Sequence, residues 1–288
     1  MTESLLEVHD LRKDFGDFTA IDGVSFELPG GEALGLVGES GSGKTTIARV
    51  IVGLERATSG RVVCCGTDRS QPARSTRERR RRGAEVQIVF QDPYGSLPPR
   101  QTVQDGLDEV QRLHGERSAV DRRARVDELA ELVALDARQL RALPGALSGG
   151  QRQRVAIARA LAPQPRLIIL DEAGAALDVS IQAQILNLLS DIRERTDVSY
   201  LFISHDLAVV RQVTEHAVVL KRGRIVERAS TPNLLDHPQD PYTQLLRASV
   251  PRPGWKPARR PPATGAAGSR AAPAGVADGA HAEGRHGS

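Results

Sequence analysis

A glycine-rich segment near the N-terminus has the residue spacing of a phosphate-binding loop. Residues 38–46 read GESGSGKTT, follow the apolar run LGLV, and lead into a helix predicted from Lys44 to Leu54. Glycines let the backbone curl so that N–H groups face phosphate oxygens, and the helix N-terminus adds positive partial charge. Lys44 is then expected to reach the β- and γ-phosphates, and the Thr45 hydroxyl to ligate Mg²⁺. The residues predicted to hold the nucleotide here are Gly38, Ser40, Gly41, Ser42, Gly43, Lys44, Thr45 and Thr46.

Two acidic residues follow a short apolar run in the middle of the chain. The segment RLIIL (166–170) is predicted to be a buried strand, and Asp171 and Glu172 come directly after it. A carboxylate at the end of a core strand can hold Mg²⁺ through water, which suits Asp171. Glu172 is then placed to orient or deprotonate an attacking water molecule. Together with the glycine-rich loop, the pair predicts hydrolysis of a bound nucleoside triphosphate.

A second helix start with an exposed backbone is predicted at the segment LSGGQ (147–151). Serine is a good N-cap, and two glycines after it leave backbone N–H groups open to an anion. One nucleotide has a single γ-phosphate, so two such helix starts suggest a head-to-tail pair of chains. In that pair the segment of one chain caps the ATP held by the loop of the other, through Ser148, Gly149, Gly150 and Gln151.

Six motifs resemble, in order and spacing, those of the nucleotide-binding subunits of ABC transporters. The resemblance covers residues 5 to about 250 and rests on GESGSGKTT, LSGGQRQR (147–154), LIILDE (167–172), Gln91, His205 and the segment ALD (176–178). It implies that Gln91 contacts Mg²⁺ and senses the membrane subunit, and that His205 holds the γ-phosphate and the water. It further implies that Asp178 couples two sites across a dimer and that Phe15 stacks on adenine.

The resulting site prediction has a catalytic part and a metal-binding part. The predicted catalytic residues are Glu172, His205, Gln91 and Lys44. The predicted Mg²⁺ ligands are Thr45, Gln91 and Asp171. The cofactors implied are ATP and Mg²⁺.

Two further segments are similar to those of oligopeptide and dipeptide importer ATPases. These are QDPYGSLPPRQTV (91–103) and HPQDPYTQLLRASVP (237–251), and the context of Tyr94 and Arg100 is similar to the second of the two ATPases in such importers. The resemblance implies a peptide importer, with nickel, glutathione or another cargo, or export, as alternatives. The third hypothesis for the function is a soluble ABC ATPase that acts on DNA or in translation.

The partners implied by the resemblance are those of a transporter. They are a second ATPase subunit (non-identical, or another copy of this chain), two membrane permease subunits and, indirectly, an extracytoplasmic binding protein. No nucleic-acid partner is expected, because the 35 arginines against four lysines indicate a coding bias rather than a nucleic-acid surface, which would need basic residues clustered on one face. The expected location is the cytoplasmic face of the membrane, as a peripheral subunit.

Strands that alternate with helices predict an α/β fold with a parallel sheet flanked by helices. With the resemblance, this becomes a P-loop NTPase (RecA-like) core with an N-terminal antiparallel β subdomain and an inserted α-helical subdomain at about 92–150. Helical spacing of Val126, Leu129, Ala130 and Val133 marks that insertion. A single ATPase domain is expected over 1–250, with a C-terminal element at about 231–251 and a disordered tail at 252–288.

The composition limits the kind of core and the membrane segments that the chain can have, but it does not indicate a function. The chain has 288 residues, 40% hydrophobic and only 3% aromatic, so its core must be aliphatic. It contains no apolar run of the roughly 20 residues needed to span a bilayer and no predicted signal peptide. The adjacent Cys64 and Cys65 are expected to be reduced and to point to opposite faces of a strand.

Overall fold

The computed structural model describes residues 4–92, 95, 97–114, 118–175 and 177–248. Its strands are β1 Ser4–Phe15, β2 Phe18–Pro29, β3 Ala33–Val37, β4 Ser59–Cys64, β5 Thr67–Asp68, β6 Val86–Val89, β7 Leu167–Asp171, β8 Ser199–Ser204, β9 His216–Lys221 and β10 Arg224–Ser230. Its helices are α1 Lys44–Val52, α2 Thr76–Glu85, α3 Val103–His114, α4 Ala119–Leu132, α5 Ala137–Leu140, α6 Gly149–Leu161, α7 Val179–Thr196, α8 Leu207–Val213, α9 Thr231–Asp236 and α10 Pro241–Ala248.

A six-stranded sheet forms the centre of the fold. Its order is β10-β9-β3-β8-β7-β6, with parallel pairing from β9 to β6 and only β10 antiparallel. The strands ALGLV, LIILD and SYLFIS are buried at every position, as is typical of parallel strands covered on both faces. The carboxyl ends of β3, β6, β7 and β8 lie at one edge, which is where the segments after Val37, Val89, Asp171 and Ser204 emerge.

A four-stranded antiparallel sheet of order β2-β1-β4-β5 packs its apolar face on α1 and the central sheet. Between β6 and β7 the described chain is helical, from α3 to α6. Val126, Leu129, Ala130 and Val133 are buried there, as their spacing predicts. The predicted α/β class, with an antiparallel β part and a helical insertion, is confirmed.

Two local predictions are wrong. The helix predicted to reach Leu54 ends at Val52, because Gly53 adopts a left-handed conformation with φ of 81° and closes the helix. The cysteine sulfurs do not lie on opposite faces: Cys65 leaves the strand with φ of 53°, and its Sγ lies 3.8 Å from that of Cys64. Both thiols are free.

Some predictions fall on residues outside the described ranges. They are Tyr94 in the 91–103 segment, Ala176 in the ALD segment, the end of the 231–251 element and the tail at 252–288. The division of the chain at residue 250 therefore stays a prediction. Among the described residues, no helix combines the length and apolarity needed to cross a membrane.

Candidate active site

The glycine-rich loop connects β3 to α1 and passes close to neighbouring backbone. A Cβ atom at Gly38 would lie 2.2 Å from the backbone oxygen of Leu220 in β9. Gly43, the residue before α1, has φ of 108°, and a Cβ atom there would lie 2.6 Å from the backbone oxygen of Ala20. Side chains are excluded at both positions, so the shape of the loop requires glycine.

The lysine of the loop is turned back onto the loop itself. Lys44 is 4% exposed, and its Nζ donates to the backbone oxygens of Gly38 at 2.7 Å and Glu39 at 2.8 Å. Burial lowers the pKa of the Lys44 ammonium, while the carboxylates of Glu172 and Asp171 act in the opposite direction. The two carbonyl oxygens thus accept the hydrogen bonds from Lys44 that phosphate oxygens are predicted to accept.

Thr45 and Asp171 meet across the carboxyl edge of the sheet. The Thr45 hydroxyl donates to Oδ1 of Asp171 at 3.1 Å. Burial raises the pKa of the Asp171 carboxyl, and the hydrogen bond from Thr45 opposes that shift. No cluster of three or more His, Cys, Asp or Glu residues that could hold a metal occurs in the described ranges. The Thr45 hydroxyl and the Asp171 carboxylate are oxygen donors of the kind that Mg²⁺ takes, since this ion binds through one or two protein oxygens together with substrate phosphates.

Glu172 and His205 form the second contact at this edge. Glu172 follows β7 with φ of 52°, a left-handed conformation that is unusual for glutamate, and its N–H donates to the backbone oxygen of Ile203 at 2.9 Å. This geometry places Glu172 Oε1 3.4 Å from His205 Nδ1. The Glu172 side chain is 18% exposed and that of His205 56%, so the pair opens to solvent.

The other predicted residues near this edge range from exposed to buried, and Gln91 is exposed. Gln91 lies two residues after β6, and the β6–β7 register places that strand end beside the end of β7. Ser40 and Gly41 are exposed on the loop, whereas Thr46 is half-buried. Ser42 is buried, with its Oγ 3.5 Å from Lys44 Nζ.

The LSGGQ segment begins α6, as predicted, but its polar side chains are occupied within the segment. Ser148 Oγ accepts the N–H of Gln151 at 3.3 Å, and Gln151 Oε1 accepts the N–H of Ser148 at 2.8 Å. A Cβ atom at Gly149 would lie 3.2 Å from Leu177 Cδ2, and one at Gly150 2.7 Å from Ile181 Cγ2. The glycines therefore also allow close packing of α6 on the start of α7, a contact for which the sequence gives no local signal.

Three predicted residue sets are not brought together within one chain. Among the described residues, no hydrogen bond or ion pair joins the segment 148–151 to the loop 38–46. Asp178 is exposed and precedes α7 without a side-chain cap hydrogen bond. Phe15 ends β1 in the other sheet, 46% exposed, with Lys13 Nζ 4.5 Å from its ring centroid. The predicted adenine contact and the predicted contacts between subunits remain predictions.

One residue at the loop was not foreseen. Tyr242 in α10 is buried, and its Oη accepts the N–H of Glu39 at 3.0 Å. The sequence placed Tyr242 in the importer-like segment at 237–251, but no local signal connected that segment with the glycine-rich loop.

Comparison with known proteins defines the class. A profile describing the ABC transporter family matches residues 21–175. Two solved structures share the fold. One is an ATP-binding cassette dimer in a post-hydrolysis state with ADP and phosphate (TM-score 0.69, 29% identity, 78% of this chain and 98% of that one). The other is cbiO1 of Clostridium perfringens, part of the ABC transporter complex cbiONQ (TM-score 0.74, 24% identity, 82% and 92%). This chain belongs to the ABC transporter family, and the prediction of an ABC-type ATPase is confirmed.

Two relatives that are similar in sequence over most of the chain are named as ATP-binding proteins of peptide transport or import. The chain is 42% identical over 262 residues to the oligopeptide transport ATP-binding protein AppF of Bacillus subtilis strain 168, covering 86% of this chain and 79% of that protein. It is 46% identical over 262 residues to a putative peptide import ATP-binding protein of Brucella abortus, covering 87% and 78%. The resemblance to peptide-importer ATPases stated from the sequence is confirmed by these matches.

Proposed function

We propose that this chain hydrolyses MgATP to energise an ABC importer for peptides, as a peripheral subunit on the cytoplasmic face of the membrane. The observation that carries the proposal is the meeting of Lys44, Thr45, Asp171, Glu172 and His205 at one edge of the sheet. The import of peptides is supported by the names of the relatives at 42% and 46% identity.

The proposed chemistry assigns one task to each side chain at that edge. Lys44 exchanges the carbonyls of Gly38 and Glu39 for oxygens of the β- and γ-phosphates. Thr45 and Asp171 would hold Mg²⁺, with Gln91 as a further ligand, and a bound ion would supply positive charge next to the phosphates.

Glu172 acts as the base in the hydrolytic step. Water attacks the γ-phosphorus, the bond from that phosphorus to the bridging oxygen breaks, and Glu172 receives the proton of the water. His205, 3.4 Å from Glu172, is close enough to hold the water or the γ-phosphate. The products are ADP and phosphate.

The proposed working unit is a pair of ATPase subunits. The start of α6 is the part that would reach the partner's nucleotide. Gly149 and Gly150 have no side chains to cover their backbone N–H groups, which suits binding of a phosphate across an interface together with Ser148 and Gln151. The partner is a second, non-identical ATPase subunit or a second copy of this chain, and the pair contacts two permease subunits.

Glu172→Gln tests the assignment of the base. We expect steady-state ATP hydrolysis to be lost while ATP binding is retained, because glutamine keeps the shape of the side chain but cannot accept the proton. Glu194→Gln, at an exposed position of α7, is the matched control and should hydrolyse ATP normally. Normal turnover by Glu172→Gln would remove Glu172 from the mechanism.

The same variant tests the pair. If Glu172→Gln elutes as a dimer in size-exclusion chromatography with ATP and Mg²⁺, this result supports pairing between copies of this chain. If the variant stays monomeric alone but pairs when it is co-expressed with a second ATPase subunit of the same transporter, the result supports the non-identical pair. Peptide import is tested by uptake of a labelled peptide in cells that carry wild-type or Glu172→Gln protein; equal uptake would contradict it.

A further inference from the structure

The helix near the C-terminal end of the described chain touches the outer side of the glycine-rich loop. Tyr242 in α10 is 5% exposed, and its Oη accepts the backbone N–H of Glu39 at 3.0 Å. Lys221 Nζ lies 4.6 Å from the centroid of the tyrosine ring, a distance at which a cation is attracted to an aromatic face. The hydroxyl of the tyrosine therefore contacts the loop, and its ring contacts the end of β9.

The backbone of Glu39 is hydrogen-bonded at both its N–H and its carbonyl group. Its N–H donates to Tyr242, and its carbonyl oxygen accepts from Lys44 Nζ at 2.8 Å. When Lys44 turns to a phosphate, the Glu39 carbonyl loses its hydrogen bond from Lys44. The hydrogen bond to Tyr242 is made by the Glu39 N–H and does not depend on Lys44. The tyrosine can thus hold this part of the loop while its lysine changes partners.

Tyr242 itself is held by hydrogen bonds that lead back to the central sheet. Asp240 Oδ1 accepts the N–H of Tyr242 at 2.8 Å. The carboxylate of Glu227 in β10 accepts the N–H of Gln239 at 2.9 Å and that of Asp240 at 3.1 Å. Burial raises the pKa of the Tyr242 phenol, which keeps the hydroxyl neutral at physiological pH.

Open space adjoins the contact. A cavity of about 360 Å³ is lined by residues 39–42 of the loop and by Lys221, Arg222, Tyr242 and Leu245. A loop with glycine at positions 38, 41 and 43 has many conformations available to it, and the cavity leaves room for movement beside it. A hydrogen bond at Glu39 therefore limits the conformations of the loop.

We propose that Tyr242 is a positioning residue of the nucleotide site. It binds the backbone N–H of Glu39, so that the loop has the shape that receives the triphosphate before the nucleotide binds. The C-terminal element then sets the affinity of the loop for ATP. This inference rests on the assignment of the loop 38–46 as the nucleotide site. The effect is indirect: Tyr242 acts through Glu39, and the chemistry stays with the residues at the sheet edge.

The test is the binding of ATP to the full-length chain carrying Tyr242→Phe, measured by competition with trinitrophenyl-ATP. The substitution keeps the ring and removes the acceptor. We expect the Kd for ATP to rise about two- to tenfold, the factor that one hydrogen bond contributes. In steady-state assays the KM should rise by a similar factor while kcat changes less, because the groups at the sheet edge are untouched.

Tyr200→Phe is the matched control. The hydroxyl of Tyr200 is buried and donates to the backbone oxygen of Leu189 at 3.0 Å. Tyr200 pairs with Ala33 at the start of β3, whereas the glycine-rich loop follows the end of that strand. This variant should lower the melting temperature but leave the Kd for ATP unchanged. A purely structural role for Tyr242 would make the two variants behave alike.

Two further variants make the outcome decisive. Glu227→Gln weakens the support of the turn before Tyr242 and should raise the Kd in the same direction, by a smaller factor. Lys44→Ala should abolish binding; if it binds ATP normally, the assignment of the site fails. If Lys44→Ala loses binding but Tyr242→Phe matches wild type, or if Tyr200→Phe raises the Kd equally, the role of Tyr242 is refuted.

Discussion

Gly150 in the LSGGQ segment offers a direct test of whether this glycine serves packing within the chain. In the first turn of α6, a Cβ atom at Gly150 would lie 2.7 Å from Cγ2 of Ile181 in α7. Carbon atoms in ordinary contact are about 3.5–4.0 Å apart, so the substitution Gly150→Ala creates an overlap of about 1 Å. The methyl group that it meets is on the branched Cβ of isoleucine, which has essentially one χ1 rotamer in a helix. The overlap is therefore relieved by movement of α6 or α7.

The expected magnitude is a balance of two effects. An alanine in a helix is favoured over glycine by up to about 1 kcal/mol, whereas an extra methyl group in a packed contact costs about 1–3 kcal/mol. Ile181 is half-buried, which allows part of the strain to relax. We expect Gly150→Ala to be less stable than wild type by about 1 kcal/mol, which lowers Tm by about 2–4 °C in a chain of this size.

The assay is thermal unfolding of the full-length chain without nucleotide, followed by circular dichroism. Gly145→Ala is the control, because a Cβ atom there meets nothing within 4 Å, and it should not lower Tm. Gly149→Ala should cost less than Gly150→Ala, since the atom it meets is the terminal Cδ2 of Leu177, 3.2 Å away. Adding Ile181→Ala to Gly150→Ala should recover about 1 kcal/mol relative to the sum of the single variants.

The reasoning is refuted if Gly150→Ala melts at or above the wild-type temperature without nucleotide, or if Ile181→Ala gives no recovery. The glycine would then be explained by the contact between subunits alone.

Two further predictions concern Thr45 and Glu215. Thr45→Val keeps the side-chain shape but removes the hydroxyl that contacts Asp171; ATP affinity with Mg²⁺ should fall to the level measured with EDTA, and Tm should change little because Thr45 is exposed. Equal gains from Mg²⁺ in variant and wild type would contradict this. For Glu215, burial disfavours the charged form, but hydrogen bonds from Arg193 and from the backbone N–H of Ala33 outweigh it and lower the pKa of the carboxyl from its ordinary value. Glu215→Gln should lose about 1 kcal/mol at pH 7, a modest value because the carboxylate is partly exposed. That difference should shrink as the pH falls from the ordinary pKa of glutamate, about 4.3, through the lower pKa of the folded carboxyl, because the wild type then becomes protonated in both states. A constant difference from about pH 7 to about pH 3 would refute it.

Features with a local cause were predictable from the sequence. The start of α6 follows from a serine that suits an N-cap, and in the structure Ser148 caps the helix that begins at Gly149. The strand SYLFIS contains an uninterrupted apolar run, which suits a strand that is covered on both faces. The motif residues at the ends of β3 and β7 were placed correctly because carboxyl ends of parallel strands share one edge.

Features that depend on distant segments were not predictable. The left-handed conformation of Glu172 has no signal in the sequence around it, since it is stabilised by a hydrogen bond to Ile203 in the next strand. Gly150 meets Ile181 only because α6 and α7 pack at their N-terminal ends. The cysteine prediction was wrong for a related reason: a strand pattern does not show where the chain leaves the strand, and Cys65 already lies beyond β4.

The glycine-rich loop shows why the motif alone does not determine the site. Glycines supply the curvature that the loop needs, but they also raise the entropy lost when the loop is ordered. The order comes from other parts of the chain: Gly223 in the β9–β10 turn donates to the backbone oxygen of Ser42 at 2.9 Å, and Tyr242 accepts from Glu39. Both contacts come from residues more than 150 positions after the loop. A truncation that removes α10 should therefore weaken ATP binding although every motif residue is still present.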